Sequence, residues 1–467
     1  MKKKICLFLL ALCLLLTACA AADSPAADPA PAPEASVPEE PSLPEEPSAS
    51  EEQPELSQRE RDWIEDIEFL RDEIKRVHVD PFRFCPEEEF DHRVEQLTAK
   101  VGELSDNDVY YELYSLIASL GDNHTSITAS SPAPYLDKVF PAGVFPFDGK
   151  VYLTGYLEGC EQLAPYLLRE LVAVNGVNML YLQQKADSIL TPYSWLSREY
   201  FPLLPSFFDW AGCDYKEGYT FQFLNDNQEV ESVEVPVITV DEQNAGTWVR
   251  PEGWESITWL WWYGSDYLTY VGGKDGGCVQ LCLGELWSPS EIRRYLPEAV
   301  RLMEEHNCNK LVIDLRACPG GHADQSGYIE EFRKEAQLLE GKQIYVLTGG
   351  YTSSAATQLI AFFKSEYGAV MAGEPIGQFS SFFFRDAETQ AASILPHSGI
   401  LVQIATAWWD STEVLPEMGI PPLEEYYDED GKPYEWENTI LPDAFVYQDI
   451  EDIRQGKDSV IEWVLAQ

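Results

Sequence analysis

The stretch Lys310-Leu311-Val312-Ile313-Asp314-Leu315-Arg316-Ala317-Cys318-Pro319-Gly320-Gly321 decides the fold. Its first half is a short apolar run broken by a single aspartate, the pattern of a strand covered on both faces. The paired glycines that follow free the backbone to turn and to present N–H groups at the strand's end. The same rhythm recurs around it: Val279–Leu283, a helical period from Ser290 to His306, then Gln343–Gly349, a helix from Ser353 to Lys364, Ala369–Ala372 and Ile400–Ala405. Buried strands alternating with helices predict the α/β class, a largely parallel sheet covered by helices, with its site at the C-terminal ends of the strands.

Upstream the period changes. Trp63, Ile67, Leu70, Ile74 and Val77 recur at helical spacing; Phe90, Val94, Leu97 and Val101 repeat it after Pro86. A third helix opens at Ser105, with Asp108 completing a capping-box-like start, and stops at Gly121. These three helices form a module over 58–130 and deliver Asp122-Asn123-His124-Thr125-Ser126 as a loop at a helix end. In the middle region, 131–250, Val151-Tyr152-Leu153 reads as a strand, Glu170 to Gly176 as a strand entering a tight turn, and Met179 to Ile189 as a helix. The catalytic core is expected over 251–467, and the Trp-rich run Trp254 to Trp262 within it reads as packing rather than a ligand platform.

The first nineteen residues read as a targeting segment: Lys2, Lys3 and Lys4, an apolar run from Ile5 to Leu16, then Leu16-Thr17-Ala18-Cys19. The run is shorter than the roughly 20 residues a bilayer span requires and suits a signal peptide. Leu-Thr-Ala-Cys resembles a bacterial lipobox, which implies cleavage before Cys19, a lipid on its thiol, and an extracytoplasmic protein anchored to the cell membrane. Residues 20–57, rich in Pro, Glu, Ala and Ser, cannot bury a core and read as a disordered stalk. With 32 Lys and Arg against 79 Asp and Glu, a net charge of −47, the chain is no nucleic-acid binder. Seven cysteines remain beyond Cys19; an odd count without a CxxC pair makes a poor disulfide framework and a poor zinc site, so most read as small buried hydrophobes.

Two strand exits carry chemistry. One is the diglycine loop; the other is Tyr351-Thr352-Ser353-Ser354-Ala355-Ala356, where a serine meets the start of a helix. Unpaired N–H groups and positive potential at such an end stabilise an oxyanion. Thr352 and Ser353 also fit the plainer role of helix caps.

The ordered set Ile313 to Gly321, Thr352 to Ala356, Gly373-Glu374-Pro375 and Glu417-Met418-Gly419-Ile420-Pro421-Pro422 resembles the tail-specific, or C-terminal-processing, serine peptidases. The resemblance implies a ClpP/crotonase-like core, Ser354 as nucleophile, and oxyanion donors from the N–H groups of Gly320 or Gly321 and of Ala355. Gly373 to Ser380 contains no lysine, so a Ser/Lys dyad does not fit. The tricorn-like branch, which it resembles instead, places the general base at His124 and the orienting carboxylate at Glu417 or Glu413. His322 competes as base, while His78, His92, His306 and His397 read as surface or satisfied residues. Cys318 stands where the family usually has asparagine. The family's peptide-binding PDZ-like module corresponds to the divergent middle region, whose carboxylate-binding loop is not recognisable.

The resemblance implies hydrolysis of peptides or unfolded protein tails with no metal or cofactor. The alternative is an inactive lipoprotein of the same fold that binds a peptide or hydrophobic ligand. Oligomeric state is not legible.

Overall fold

A computed structural model describes residues 56–128, 137–190, 201–213, 218–252, 254, 267–273, 276–322, 325–385, 392–421 and 440–467. The targeting segment, Cys19, nearly all of the stalk and most of the Trp-rich run lie outside the described residues; Trp254 is buried, its indole N–H donating to the Ile453 carbonyl. Among the described residues, no helix is long and apolar enough to cross a membrane.

Helices α1 (Gln58–Val77), α2 (Glu87–Lys100) and α3 (Asp106–Ala118) occupy the segments their periodicity predicts. Ser57 with Glu60, and Ser105 with Asp108, close capping boxes that satisfy the first N–H groups of α1 and α3. Ile67, Leu70 and Ile74 line the buried stripe of α1, each removed entirely from solvent and stabilising by about 1.5–3 kcal/mol.

Residues 142–249 supply a seven-stranded sheet whose pairings are antiparallel. The tight turn read at Asn175-Gly176 is present, both residues having positive φ (48° and 80°), and it joins Glu170–Val174 to Val177–Asn178. Leu113 of α3 shares one continuous core with Phe140, Phe208 and Phe221, so the first helices and this sheet bury their apolar faces against a common interior. Leu56–Gln467 forms a single unit.

The second core surrounds a six-stranded sheet: β1 (Tyr267–Gly273), β2 (Gly276–Cys282), β3 (Lys310–Asp314), β4 (Gln343–Thr348), β5 (Val370–Gly373) and β6 (Ala444–Phe445), adjacent in that order. β1 pairs antiparallel with β2, and every pairing from β2 to β6 is parallel. Alternation along β3 explains why its run is apolar throughout. Leu311 and Ile313 enter the core shared with α4 (Ala356–Tyr367), while Val312 enters the opposite one, shared with Val464 of α6 (Ser459–Ala466).

Ile400–Ala405 departs from expectation. Leu401–Gln403 stands outside the parallel sheet and pairs antiparallel with Ser393–Ile394 and with Ser126–Ile127, just after α3. A short apolar run carries no information about which sheet it joins. The pairing fastens the loop after α3 to the C-terminal half of the chain.

Candidate active site

The turn between β4 and α4 is built by side chains that bond backward rather than into the helix. Thr352 Oγ1 donates to the Leu315 carbonyl at 2.7 Å and accepts from the Gly349 N–H at 3.0 Å. Ser353 Oγ donates to the Pro319 carbonyl at 3.0 Å, and its N–H to the Cys318 carbonyl at 3.2 Å. Neither hydroxyl caps α4, which begins at Ala356 rather than Ser353 and has no side-chain cap. Ser354 explains the late start: its φ of 52° is left-handed, a conformation that a helix cannot contain and that costs a non-glycine residue about 1 kcal/mol or more. The half-buried serine is thereby turned out of the helix, with α4's first N–H groups beside it.

The diglycine loop lies directly against this turn. Gly320 has φ 106°, and a Cβ on it would stand 2.6 Å from Ser354 Cβ and 3.0 Å from the Ala355 nitrogen. Leu286 grips the loop: its N–H donates to the Gly320 carbonyl at 2.8 Å, and its carbonyl accepts from the His322 N–H at 2.9 Å. Among the described residues, the N–H groups of Gly320, Gly321 and Ala355 have no acceptor.

Below the loop, Arg316 is buried between two carboxylates. Its Nη2 donates to Asp314 Oδ2 at 2.6 Å, its Nη1 to Asp458 Oδ1 at 2.9 Å, and Gln280 adds a 2.6 Å bond to Asp314. Burial lowers the guanidinium pKa, but the charges of Asp314 and Asp458 outweigh it and raise the pKa well above its ordinary value. Asp458 also caps α6 by accepting from the Val460 and Ile461 N–H groups, so the last helix is pinned beneath the diglycine loop. Gly373-Glu374-Pro375 buttresses the other side. Glu374 N–H donates to the Thr348 carbonyl at 3.0 Å, and Gly377 N–H to the Thr352 carbonyl at 2.9 Å; a side chain on Gly377 would collide with the Gly350 carbonyl.

The loop after α3 brings His124 to this turn across 230 positions of sequence: His124 Nε2 lies 3.2 Å from Ser354 Oγ. Asn123 Nδ2 donates to the Gly377 carbonyl at 2.9 Å, and Gln403 Nε2 to the His124 carbonyl at 3.4 Å. The imidazole stacks on Phe382 with ring centroids 5.5 Å apart, and Phe382 stacks on Trp409. Burial holds the His124 pKa below the usual histidine range, partly offset by the charge of Asp122.

Asp122 and His78 were not read as site residues from the sequence. Asp122 Oδ1 accepts the His124 N–H at 2.7 Å, while Oδ2 accepts from the Thr125 hydroxyl and lies 3.1 Å from His78 Nε2. Burial pushes the Asp122 carboxyl up, but the His78 hydrogen bond, the His124 charge and the remaining donors outweigh it and hold its pKa below the usual range. His78 is buried, not superficial, and has a partner. The spacing signal was available in Asp122-Asn123-His124-Thr125, whose aspartate lies two residues before the base, within reach of its backbone N–H.

Glu413 and Glu417 stand elsewhere. Both are exposed on α5 (Ser411–Glu417), whose inward position is Leu415, and neither hydrogen-bonds to the His124 ring. The expected role of Glu417, or of Glu413, in orienting the ring therefore has no contact to carry it. Nor does another histidine replace His124: His306 stacks on Tyr270, and His397 pairs with Glu65 and Asp62 on α1. His322 is exposed beyond the diglycine, its N–H spent on Leu286. Cys318 is buried, its thiol donating to the Gly320 carbonyl at 4.0 Å, and of the seven described cysteines, none in a disulfide, only Cys160 is not buried.

A cleft next to His124 is walled by Phe84, Phe379, Phe382, Phe383 and Gln378. Among the described residues no three His, Cys, Asp or Glu side chains converge as a metal site. The chemistry available is that of a hydroxyl beside an imidazole, with unpaired backbone N–H groups adjacent. These are the components that acyl transfer to a serine requires.

Compared with protein-family profiles and with curated proteins, the sequence matches none. Solved structures do match. Mature CPAF in complex with lactacystin superposes with a TM-score of 0.52 at 13% identity, covering 88% of this chain and 98% of that one. Mature CPAF gives 0.51 at 12% identity, covering 88% and 96%. The photosystem II D1 C-terminal processing protease is more remote, with a TM-score of 0.35 at 13% identity over 85% and 94%. The mixed α/β fold expected from the sequence is thus one shared with CPAF over nearly the whole of both chains.

Proposed function

We propose that the chain is an extracytoplasmic serine peptidase, held to a bacterial membrane by a lipid on Cys19, that hydrolyses peptides or unfolded protein tails. The observation that carries this reading is the 3.2 Å approach of His124 Nε2 to Ser354 Oγ. His124 takes the Ser354 proton as Oγ attacks the scissile carbonyl, and the N–H groups of Gly320 or Gly321 and of Ala355 receive the oxyanion. The imidazolium then protonates the leaving amine, the C–N bond breaks, and a water activated by the same imidazole hydrolyses the Ser354 ester. The neutral imidazole that this needs is the form favoured by burial of His124. No metal or cofactor enters the scheme.

The test compares hydrolysis of an unfolded protein by the full-length protein and by Ser354→Ala, with fluorophosphonate labelling alongside. Serine-dependent cleavage and labelling are expected. Equal rates in the two proteins, with no label on Ser354, would leave the rival reading, a ligand-binding lipoprotein on a peptidase fold.

A further inference from the structure

We propose that Asp122, locked by His78, is the carboxylate that positions and charge-balances His124, the role that the family resemblance assigns to Glu417 or Glu413. The inference rests on the hydrolytic reading of Ser354 and His124 and deepens it.

To accept the serine proton at Nε2, the neutral His124 ring must carry its own proton on Nδ1. The ring then becomes an imidazolium while enclosed by Phe382 and its neighbours, where an uncompensated charge is unfavourable. A nearby carboxylate that stays ionised and stationary meets the need. Glu413 and Glu417 are solvent-exposed and hydrogen-bond to no atom of His124. Asp122 is 4% exposed and two residues from His124.

Its surroundings fix it in the ionised state. One oxygen accepts the His124 N–H at 2.7 Å; the other accepts from Thr125 and from His78. The direction of the last bond follows from the far side of the His78 ring: the Asp80 N–H donates to His78 Nδ1 at 3.1 Å, so Nδ1 is the acceptor and Nε2 carries the hydrogen that points at Asp122. His78 is itself wedged edge-on against Phe383 at 4.7 Å. Thr125 continues the network by accepting the Ala405 N–H at 3.1 Å, beyond the strand that pairs with Ser126–Ile127. With both oxygens engaged by three donors, Asp122 neither swings nor accepts the proton. It holds the His124 backbone and keeps a negative charge near enough to the ring to favour its protonated form. Of the titratable groups around His124, Ser354 faces the ring, His78 faces Asp122 and Asp122 supplies the charge; Phe382 and Gln403, from the strands packed on it, are uncharged.

Asp122→Asn keeps an acceptor for the His124 N–H and removes the charge. In the full-length protein with ¹³C-labelled histidine, the His124 ring is expected to titrate at lower pH in Asp122→Asn than in the wild type, and Glu417→Gln to leave it unmoved. On the serine-dependent reaction, Asp122→Asn should lower kcat about 10- to 100-fold with little change in KM. An unchanged or raised titration in folded Asp122→Asn, or a fall produced by Glu417→Gln instead, overturns the proposal. If Asp122→Asn does not fold, the wild type decides: the Asp122 carboxyl carbon should shift at the pH where His124 titrates, and a step at Glu417 with none at Asp122 overturns it. Absence of serine-dependent hydrolysis in the wild type would reject the peptidase reading alone, since the ring titration is read without activity.

Discussion

Gly320 is packed so closely on Ser354 that a methyl group on the glycine would stand 2.6 Å from the serine Cβ and 2.9 Å from the Ser353 carbonyl oxygen. Since φ at Gly320 is also 106°, no side chain fits without moving either the diglycine loop or the nucleophile turn. Gly320→Ala should therefore keep the fold, read by circular dichroism, while displacing an oxyanion donor and lowering kcat about 10²- to 10³-fold. Activity within twofold of wild type would show that the loop does not face the reaction.

The left-handed backbone at Ser354 makes stability and activity separable. Ser354→Ala and Ser354→Gly both remove the hydroxyl proposed as nucleophile, but only glycine relieves the strain of φ 52°. Ser354→Gly is expected to unfold with a free energy about 1 kcal/mol above that of Ser354→Ala, measured by denaturant titration, with neither variant hydrolysing substrate. An alanine variant as stable as the glycine one would mean that the turn relaxes in solution.

Burial lowers the His124 pKa, which fixes the sign of the pH dependence. The base must be neutral, so kcat/KM should persist into mildly acidic solution and fall with a midpoint below about 6.5, the ordinary histidine value. A pH–rate profile whose acid limb is centred above that value would contradict the environment described for the ring.

These chemical groups were legible to unequal degrees. The three helices could be read because Ile67, Leu70 and Ile74 repeat at helical spacing and Ser105 with Asp108 spells a cap. The parallel strands could be read because both faces of a covered strand are apolar, as Leu311 to Ile313 show. Ser354 and His124 were legible through motif resemblance; their meeting depends on the pairing of Ser126–Ile127 with Val402–Gln403, which local pattern does not encode. The expected carboxylate, Glu417 or Glu413, lies apart from the ring for a related reason. Motif position points to Glu417 or Glu413 beside the glycine-proline stretch, whereas orientation is decided by which face of α5 turns inward, and that face belongs to Leu415. His78 read as unpartnered because its partner, Asp122, lies 44 positions away.

His397 offers a pH test of a different kind. It pairs with Glu65 at 2.7 Å and Asp62 at 3.5 Å on α1, and the Glu65 hydrogen bond is the main cause of its raised pKa. A group whose pKa rises on folding contributes its stability below the unfolded value and loses it as pH climbs through the folded one. His397→Gln should thus be less stable than wild type near about pH 5.5 and indistinguishable from it near about pH 9. A difference that grows with pH would reverse the assignment. The Asp66 carboxylate, which accepts the backbone N–H groups of His397 and Ser398, is untouched by the substitution and holds the loop in both conditions.

Arg316 predicts a large effect on stability. It lies between Asp314 and Asp458 with its side chain 3% exposed, and its removal leaves two carboxylates facing each other out of water. Arg316→Met should cost about 3–5 kcal/mol of unfolding free energy, while the triple replacement Arg316→Met with Asp314→Leu and Asp458→Asn should recover much of it, because no unpaired charge then remains. Asparagine at 458 keeps an acceptor for the Val460 and Ile461 N–H groups that start α6. Equal losses in the single and triple variants would mean that the ion cluster stabilises through its shape rather than its charge. Because Arg316 lies only four positions before Gly320, activity lost in a folded triple variant would further show that the cluster holds Gly320 in register with Ser354.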